Sequence, residues 1–493
     1  MKQMEVCMSE NKGRICIIGG GPAGLSCAMY LEKKGYTDYV IYEKLNKVGG
    51  KCYSPKIKVS HNGVEEEKSF ETGAIMGAIT YHAVSEMEEF GGYYHKGPDF
   101  KEGEPNMRRE FRDLDGTIQH PFEPKVNFSF KKLFSLMKLK KQMKKLNHLM
   151  QTKYVGYDCY GHLGVASGKY KGISKGVAGY CGATEENSFP NYIEGENPNL
   201  KDLALPFSEF CKINGVEEVQ RIWIAPFTSF GYGFFDEIPA ALVMKYLDVT
   251  TALEFVGMKL WTWQDGTQEI YVHVNDKLQH PAILNTEVVK VERPEGEKIR
   301  VTIRHEGVES VEEFDKLIVT TPLDYFKDYA DATEEERELF SKIVHEKYVD
   351  YIATFEPGKS PNISGYMVDN MVPERLGHAM VYYNRWQYLD RDCPATVYAL
   401  RNHTGSEDVS YEYCMKTMDE DMAKVGFPIK DKLYAQEVYY CPHVSCKDYA
   451  DGWYDRLEAL QGNKNTYYAG EIISFGDMED TCAASKDIIG RFF

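Results

Sequence analysis

No two of the twelve cysteines in this 493-residue chain stand in a C-x-x-C spacing. Scattered thiols, Cys16, Cys27, Cys52 and Cys482 among them, argue against a disulfide framework or a metal site and fit a reducing compartment. An excess of basic residues is also missing. The net charge is −17, which makes phosphate-backbone binding a poor expectation, so no nucleic-acid partner is anticipated. No apolar run is long enough to span a bilayer. Residues 1–14 are polar and show no apolar core of a secretory signal, so a cytoplasmic location is expected. The length exceeds what one compact core serves and predicts two or three domains. Aromatic residues, in contrast, are plentiful. The 35 tyrosines and 24 phenylalanines suit either an aromatic core or a large apolar cavity with a few polar contacts.

Along the chain, residues 14–18 read as a short buried strand. Gly19-Gly20-Gly21-Pro22-Ala23-Gly24 turns it into a helix reaching about Lys34. A second strand over 38–42 ends at Glu43, a βαβ opening with parallel strands. Residues 125–157 hold many lysines and no acid. There Leu133, Leu136, Met137, Met143, Leu146, Leu149 and Met150 recur at helical spacing. Residues 164–200 are glycine-rich and polar and read as an inserted loop. Residues 207–256 are mostly helical, with a glycine–aromatic break at 230–235. Strands return at 287–291 and 298–303 around the turn Pro294-Glu295-Gly296. A third strand spans 316–319, and Thr333 with Glu336 has capping-box spacing. Short strand-like runs fill 366–400. A last strand at 465–469 leads through Gly470-Glu471 into a final helix near 478–489.

The glycines carry the first chemistry. Gly19, Gly21 and Gly24 match G-x-G-x-x-G, a weak signal alone. Here it follows a strand, opens a helix and has Glu43 about twenty residues on, as a dinucleotide fingerprint requires. Gly19 permits the turn, Gly21 lets backbone approach a pyrophosphate, and Gly24 allows close helix–strand packing, with Ala23 at the helix start. The helix N-terminus then faces the negative charge. Glu43 can accept from both ribose hydroxyls. Val48-Gly49-Gly50-Lys51 resembles the second phosphate contact of the glutathione-reductase and amine-oxidase type flavoproteins, which selects FAD, with Gly50 and Lys51 against the pyrophosphate. Tyr467-Tyr468-Ala469-Gly470-Glu471 resembles the closing motif of that superfamily. The resemblance implies Glu471 near the ribityl or phosphate region and a following helix, starting near Met478, aimed at the flavin ring, where its dipole stabilises negative charge. Val288 falls where that superfamily holds adenine by backbone contact.

Longer words narrow the likeness. Met29-Tyr30-Leu31-Glu32, Gly73-Ala74-Ile75-Met76-Gly77, Arg108-Arg109-Glu110-Phe111, Phe230-Gly231-Tyr232-Gly233, Leu260-Trp261-Thr262-Trp263, Ile363-Ser364-Gly365-Tyr366 and Arg491-Phe492-Phe493 occur in order along the chain. In these the chain resembles the bacterial FAD-dependent polyunsaturated fatty acid isomerases that turn linoleate into a conjugated diene. Two stretches depart from that pattern, 55–68 and 164–200, and each is expected either to reshape a channel mouth or to build a contact surface. The resemblance implies that Arg109, backed by the ring of Phe255, holds the fatty carboxylate. Guanidinium forks suit carboxylates, and a ring face suits a guanidinium. Tyr232 and Trp263 are further candidates for substrate contact. The 73–77 loop is expected against the flavin, with Gly73, Ala74, Ile75 and Met76 as contacts.

The implied fold class is α/β. A Rossmann-like FAD-binding domain of the glutathione-reductase/amine-oxidase type is built from discontinuous segments, with inserted helical and mixed α+β substrate domains. The expected division is 1–80, 264–323 and 441–493 for FAD, 81–126 and 324–440 for substrate, and 127–263 as a mainly helical cap. The implied reaction moves a double bond of a free polyunsaturated fatty acid without net redox change. A bis-allylic C–H lacks an electron-withdrawing neighbour, so hydride loss to flavin N5, with return at the far end of the pentadienyl unit, is easier than proton loss. The cofactor carries this chemistry. No catalytic acid or base is nominated, and His120, His378 and His443 are read as structural. Two rivals stay open: an FAD-dependent oxidase or desaturase of the amine-oxidase type, and a non-catalytic fatty-acid-binding flavoprotein. The lysine-rich 125–157 stretch suggests either a solvated helix or a peripheral contact with a membrane surface.

Overall fold

The computed structural model describes residues 13–61, 63–94, 108–119, 130–154, 199–247, 249–387, 389, 392–475 and 477–493. Four strands of it, drawn from far-apart parts of the chain, make one parallel sheet. They are β1 (Ile15–Ile18), β2 (Tyr39–Tyr42), β10 (Lys316–Val319) and β16 (Thr466–Tyr468), in the order β16-β10-β1-β2. Covered on both faces, such strands need continuous apolar runs. Accordingly all four residues of β1 are buried. The helix Pro22–Lys33 packs on this sheet and against the last helix, Met478–Phe492.

The remaining strands form three further sheets among the described residues. A hairpin of β3 (Lys56–His61) and β4 (Val64–Ser69) occupies the 55–68 stretch. A meander joins β7 (Thr286–Glu292), β8 (Ile299–His305) and β9 (Val308–Phe314). A seven-stranded mixed sheet runs β15-β11-β14-β13-β12-β5-β6. Its members are β5 (Arg109–Arg112), β6 (Ile118–Gln119), β11 (Val344–Phe355), β12 (Ser364–Met367), β13 (Val381–Tyr383), β14 (Ala395–Leu400) and β15 (Ile429–His443). The fold is thus a Rossmann-type parallel sheet with a mixed α/β region beside it.

The expected strand at 316–319 is present as β10 and joins the parallel sheet, while the third strand of the meander, β9, was not read from the sequence. β9 reads Val-Glu-Ser-Val-Glu-Glu-Phe and is exposed along almost its whole length, so an edge strand left no alternating apolar pattern to read. The expected boundary at 441 falls inside β15. The apolar stripe of the lysine-rich stretch divides. In the helix Phe130–Gln151, Leu146 and Met150 are buried together with Leu139, while Leu133 and Met137 face solvent. Most of the 164–200 loop lies outside the described residues.

The buried Arg293 ties the meander to the nucleotide sheet. Its Nη2 donates to Glu336 at 2.8 Å and its Nε to Asp331 at 2.7 Å, and Nη1 reaches Tyr468 Oη of β16 at 3.3 Å. Glu336 is the same residue that closes the capping box with Thr333. One carboxylate thus caps a helix and neutralises a buried cation, which a buried guanidinium requires.

Candidate functional site

The turn after β1 shows why each glycine is there. Gly19 has φ +109°, and a Cβ on it would lie 2.7 Å from Thr320 Oγ1. A Cβ on Gly24 would lie 1.9 Å from the Gly19 carbonyl oxygen, so nothing but hydrogen fits between helix and strand. Gly21 differs. Its φ of −83° suits any residue, and a Cβ there meets only Gly50 backbone, at an ordinary 3.6 Å. Gly21 borders a cavity, so its missing side chain leaves a cradle for something other than protein. The helix that follows has no side-chain cap and no acid in its first turn, which leaves its positive end for an anion.

Glu43 ends β2 with its carboxylate fixed. Oε2 accepts from Gly20 N at 2.7 Å and Oε1 from Leu45 N at 2.8 Å. Opposite, Lys51 Nζ pairs with Glu471 Oε2 at 2.5 Å, and Glu471 Oε1 accepts from Cys441 N at 2.9 Å. Lys51 therefore does not stand free to offset a pyrophosphate; its charge is shared with Glu471 across the cavity. Gly73 has no room for a side chain either, since a Cβ would lie 1.8 Å from Lys51 O.

The cavity lined by these groups measures about 1700 Å³ with the solvent at its mouth included. Gly19, Gly21, Ala23, Glu43, Gly50 and Lys51 line one part, and Gly470, Glu471 and Met478 line the wall beside it. Gly73, Ala74, Ile75 and Met76 line the same space, as do Tyr232 and Phe255. These residues fit a dinucleotide, by the cradle at Gly21, the open helix end and the anchored Glu43.

Residues 22–352 match the family of flavin containing amine oxidoreductases. The chain belongs to that family. Its cofactor is FAD. Among solved structures it is similar to a CLA-producing fatty acid isomerase from P. acnes, with 40% identity and a TM-score of 0.82 over 98% of this chain and 99% of that one. Putrescine oxidase shares the fold, at 13% identity and a TM-score of 0.65 over 96% and 97% of the two chains. The polyenoic fatty acid isomerase of Ptilota filicina is 23% identical over 359 residues, 69% of this chain; the match spans 65% of that relative's length.

Away from the glycine turn, the amine-oxidase cavity is walled by aromatic rings. Tyr232 stacks on Tyr246 with centroids 3.8 Å apart, and Phe230 meets Phe255 edge-on at 6.4 Å. Burial pushes the tyrosines Tyr81, Tyr232 and Tyr246 well above the usual phenol range. Arg109, on β5, opens onto a side recess with Met258, Ser364, Tyr366 and Tyr383. Met76, Phe255 and Leu260 line both spaces. The Arg109 guanidinium carbon lies 4.4 Å from the Phe255 ring centroid, and Nη2 donates to Val256 O at 2.9 Å. The Phe255 and Tyr366 rings meet edge-on at 5.7 Å, and burial raises the Tyr366 phenol to about 12, against the pull of Arg109.

Two expected contacts sit elsewhere. Trp263 is fully buried behind Gly77, where a Cβ would touch its Cη2 at 2.8 Å, and its Nε1 donates to Glu88 Oε1 at 2.6 Å. It supports the 73–77 loop rather than facing the cavity. Val288 is buried in β7 at a register irregularity, outside the cavity lining. Of the three histidines, His120 lies outside the described residues. His378 binds Asp421 at 2.8 Å, and His443 is buried against Cys441 O at 2.8 Å.

Sequence reading missed an acidic cluster at the start of the last helix. Asp477 lines the cavity, caps the helix through Asp480 N at 3.0 Å and accepts from the Tyr81 hydroxyl. Burial raises its carboxyl. Glu479 caps the helix Ala83–Gly91 instead, accepting from His82, Ala83 and Val84 N at 2.8–2.9 Å. Burial pushes its pKa up to about 8 against the pull of those three donors. The signal was legible as Asp477 at an N-cap position ahead of the helix.

Proposed function

We propose that the protein is a redox-neutral isomerase of free polyunsaturated fatty acids, shifting a double bond of a linoleate-like chain to give a conjugated diene. The observation that carries this reading is that the Arg109 recess lies directly beside the FAD cavity, with Met76, Phe255 and Leu260 as the wall they share. An apolar, aromatic-walled cavity with a guanidinium behind its wall suits an amphiphile with one anionic end. An amine substrate would meet a like charge there. The names of the two isomerases reported above support the same substrate class.

Arg109 binds the carboxylate by charge-assisted hydrogen bonds, giving it the N–H now spent on Val256 O. Phe255 limits the rotation of the guanidinium by covering its face. The aromatic walls exclude water and fix the bend of the chain, which converts binding into orientation. When bound, FAD would supply reversible hydride chemistry. The tyrosines along the wall are held in their neutral form by burial, so they offer no phenolate base at a bis-allylic carbon. Their ring faces stabilise a delocalised pentadienyl cation.

The test is to incubate the yellow holoprotein with linoleic acid in a closed cell and follow the conjugated-diene band and oxygen together. Diene growth without oxygen uptake supports the proposal. Oxygen uptake with flavin bleaching and recovery overturns it in favour of an oxidase. Binding of linoleate without product overturns it in favour of a carrier.

A further inference from the structure

The helix Phe130–Gln151 has two different faces. Successive residues turn by about 100°, which sets Leu139, Gln142, Leu146 and Met150 on one side, and all four are buried. Gln142 Oε1 accepts from Glu218 N at 2.7 Å, Lys138 pairs with Glu218 at 2.8 Å, and Arg221 donates to Ser135 at 2.7 Å. That side is docked. The opposite side begins with Leu133, Phe134 and Met137, exposed by 39%, 68% and 58%. It continues with Lys140, Lys141, Lys144 and Lys145, all exposed and outside any ion pair among the described residues. Large apolar side chains scattered singly on a surface need no explanation. Three within about a turn, followed by four unpaired lysines, form an amphipathic device.

We infer that this outward face docks on the surface of an anionic membrane. The apolar tip enters the headgroup boundary and the lysine row reads the surface charge. Charge complementarity selects this occupant. The helix carries seven lysines and no acid in a chain of net charge −17, so an anionic surface repels most of the molecule and attracts this segment. The attraction is local, because screening confines it to about 8 Å, and the docked side holds the helix to the protein as it binds. The inference rests on the helix alone, so vesicle binding and diene formation succeed or fail independently.

The experiment is co-sedimentation of the holoprotein with phosphatidylcholine vesicles, with and without about a third phosphatidylglycerol. Binding is expected to the anionic vesicles only, and to weaken in high salt. Each lysine at the surface contributes roughly a fivefold factor in partitioning. Replacing Lys140, Lys141, Lys144 and Lys145 by glutamine should therefore lower it by about 100-fold or more. Phe134→Ser with Met137→Ser should lower it at unchanged charge, and both variants should turn over dispersed linoleate as the parent does. Absence of binding by the unaltered protein overturns the inference. So does binding that neither variant weakens. A dimer in solution that Phe134→Ser with Met137→Ser dissociates also overturns it, assigning the face to a second copy.

Discussion

Gly21→Ala isolates the cofactor cradle from the fold that surrounds it. The added Cβ meets protein only at 3.6 Å and the backbone at φ −83° accepts alanine, so neither packing nor strain opposes it. Gly21 is the helix N-cap, where alanine is worse than glycine by about 0.5–1 kcal/mol, and the stiffer unfolded chain offsets about 0.4–1 kcal/mol, so apoprotein stability should barely change. The methyl group instead occupies the space where backbone approaches the pyrophosphate. Overpacking of this kind costs about 1–3 kcal/mol, which raises the FAD dissociation constant roughly 5- to 150-fold. Gly24→Ala is the contrast. Its Cβ would lie 1.9 Å from the Gly19 oxygen, so helix and strand must separate, and apoprotein stability should fall by about 3 kcal/mol or more. Urea melts of both apoproteins, paired with titration of FAD by quenching of its fluorescence, read the two effects separately. Unchanged FAD affinity in Gly21→Ala, or a destabilised apoprotein, would refute the reasoning.

Arg109→Ala should raise KM for linoleate roughly 10- to 150-fold, the worth of hydrogen bonds to a charged group, while kcat changes far less; steady-state diene kinetics measure both. Trp263→Phe should leave KM unaltered, because the indole lies behind Gly77, and should cost about 1–3 kcal/mol in a urea melt by removing the hydrogen bond the indole donates to buried Glu88. His443 is lowered by burial from 6.5 to about 4. Between those values the unfolded chain takes the proton first, so stability is lost as pH falls through 6.5 toward 4, by about 2 kcal/mol from pH 7 to pH 5. Denaturant melts of His443→Gln should lack that loss, and an undiminished slope would count against the assignment.

Local rules made the cofactor half readable. A strand, a glycine turn, a helix and an acid at the next strand end depend on neighbours in sequence, and Gly19, Gly24 and Glu43 stand in the geometry those rules require. The capping box at Thr333 and Glu336 follows from two residues three apart. Readability failed where the outcome depends on distant partners. Trp263 faces Glu88 rather than the cavity because Gly77 comes between, which no local pattern encodes. The stripe over 133–150 was one row in sequence, and only the docking of the 217–221 segment divides it into an inner and an outer face. Lys51 reads as a free cation until Glu471, some 420 residues on, is folded against it. Asp477 was visible as a cap, but its place at the cavity depends on Tyr81.

The order of strands in the parallel sheet sets a clock for biogenesis. Ile15 pairs with Lys316 and Leu317 with Thr466. At about 5–20 residues per second of synthesis, the glycine turn leaves the ribosome roughly 20 to 90 s before Glu471 exists. For about the first two-thirds of that interval β1 lacks its neighbour β10, and until its end the nucleotide cradle has only one wall. Flavin capture is therefore a late event in the life of each molecule, and the nascent chain must be kept from aggregating through an apolar strand whose partner has yet to be made.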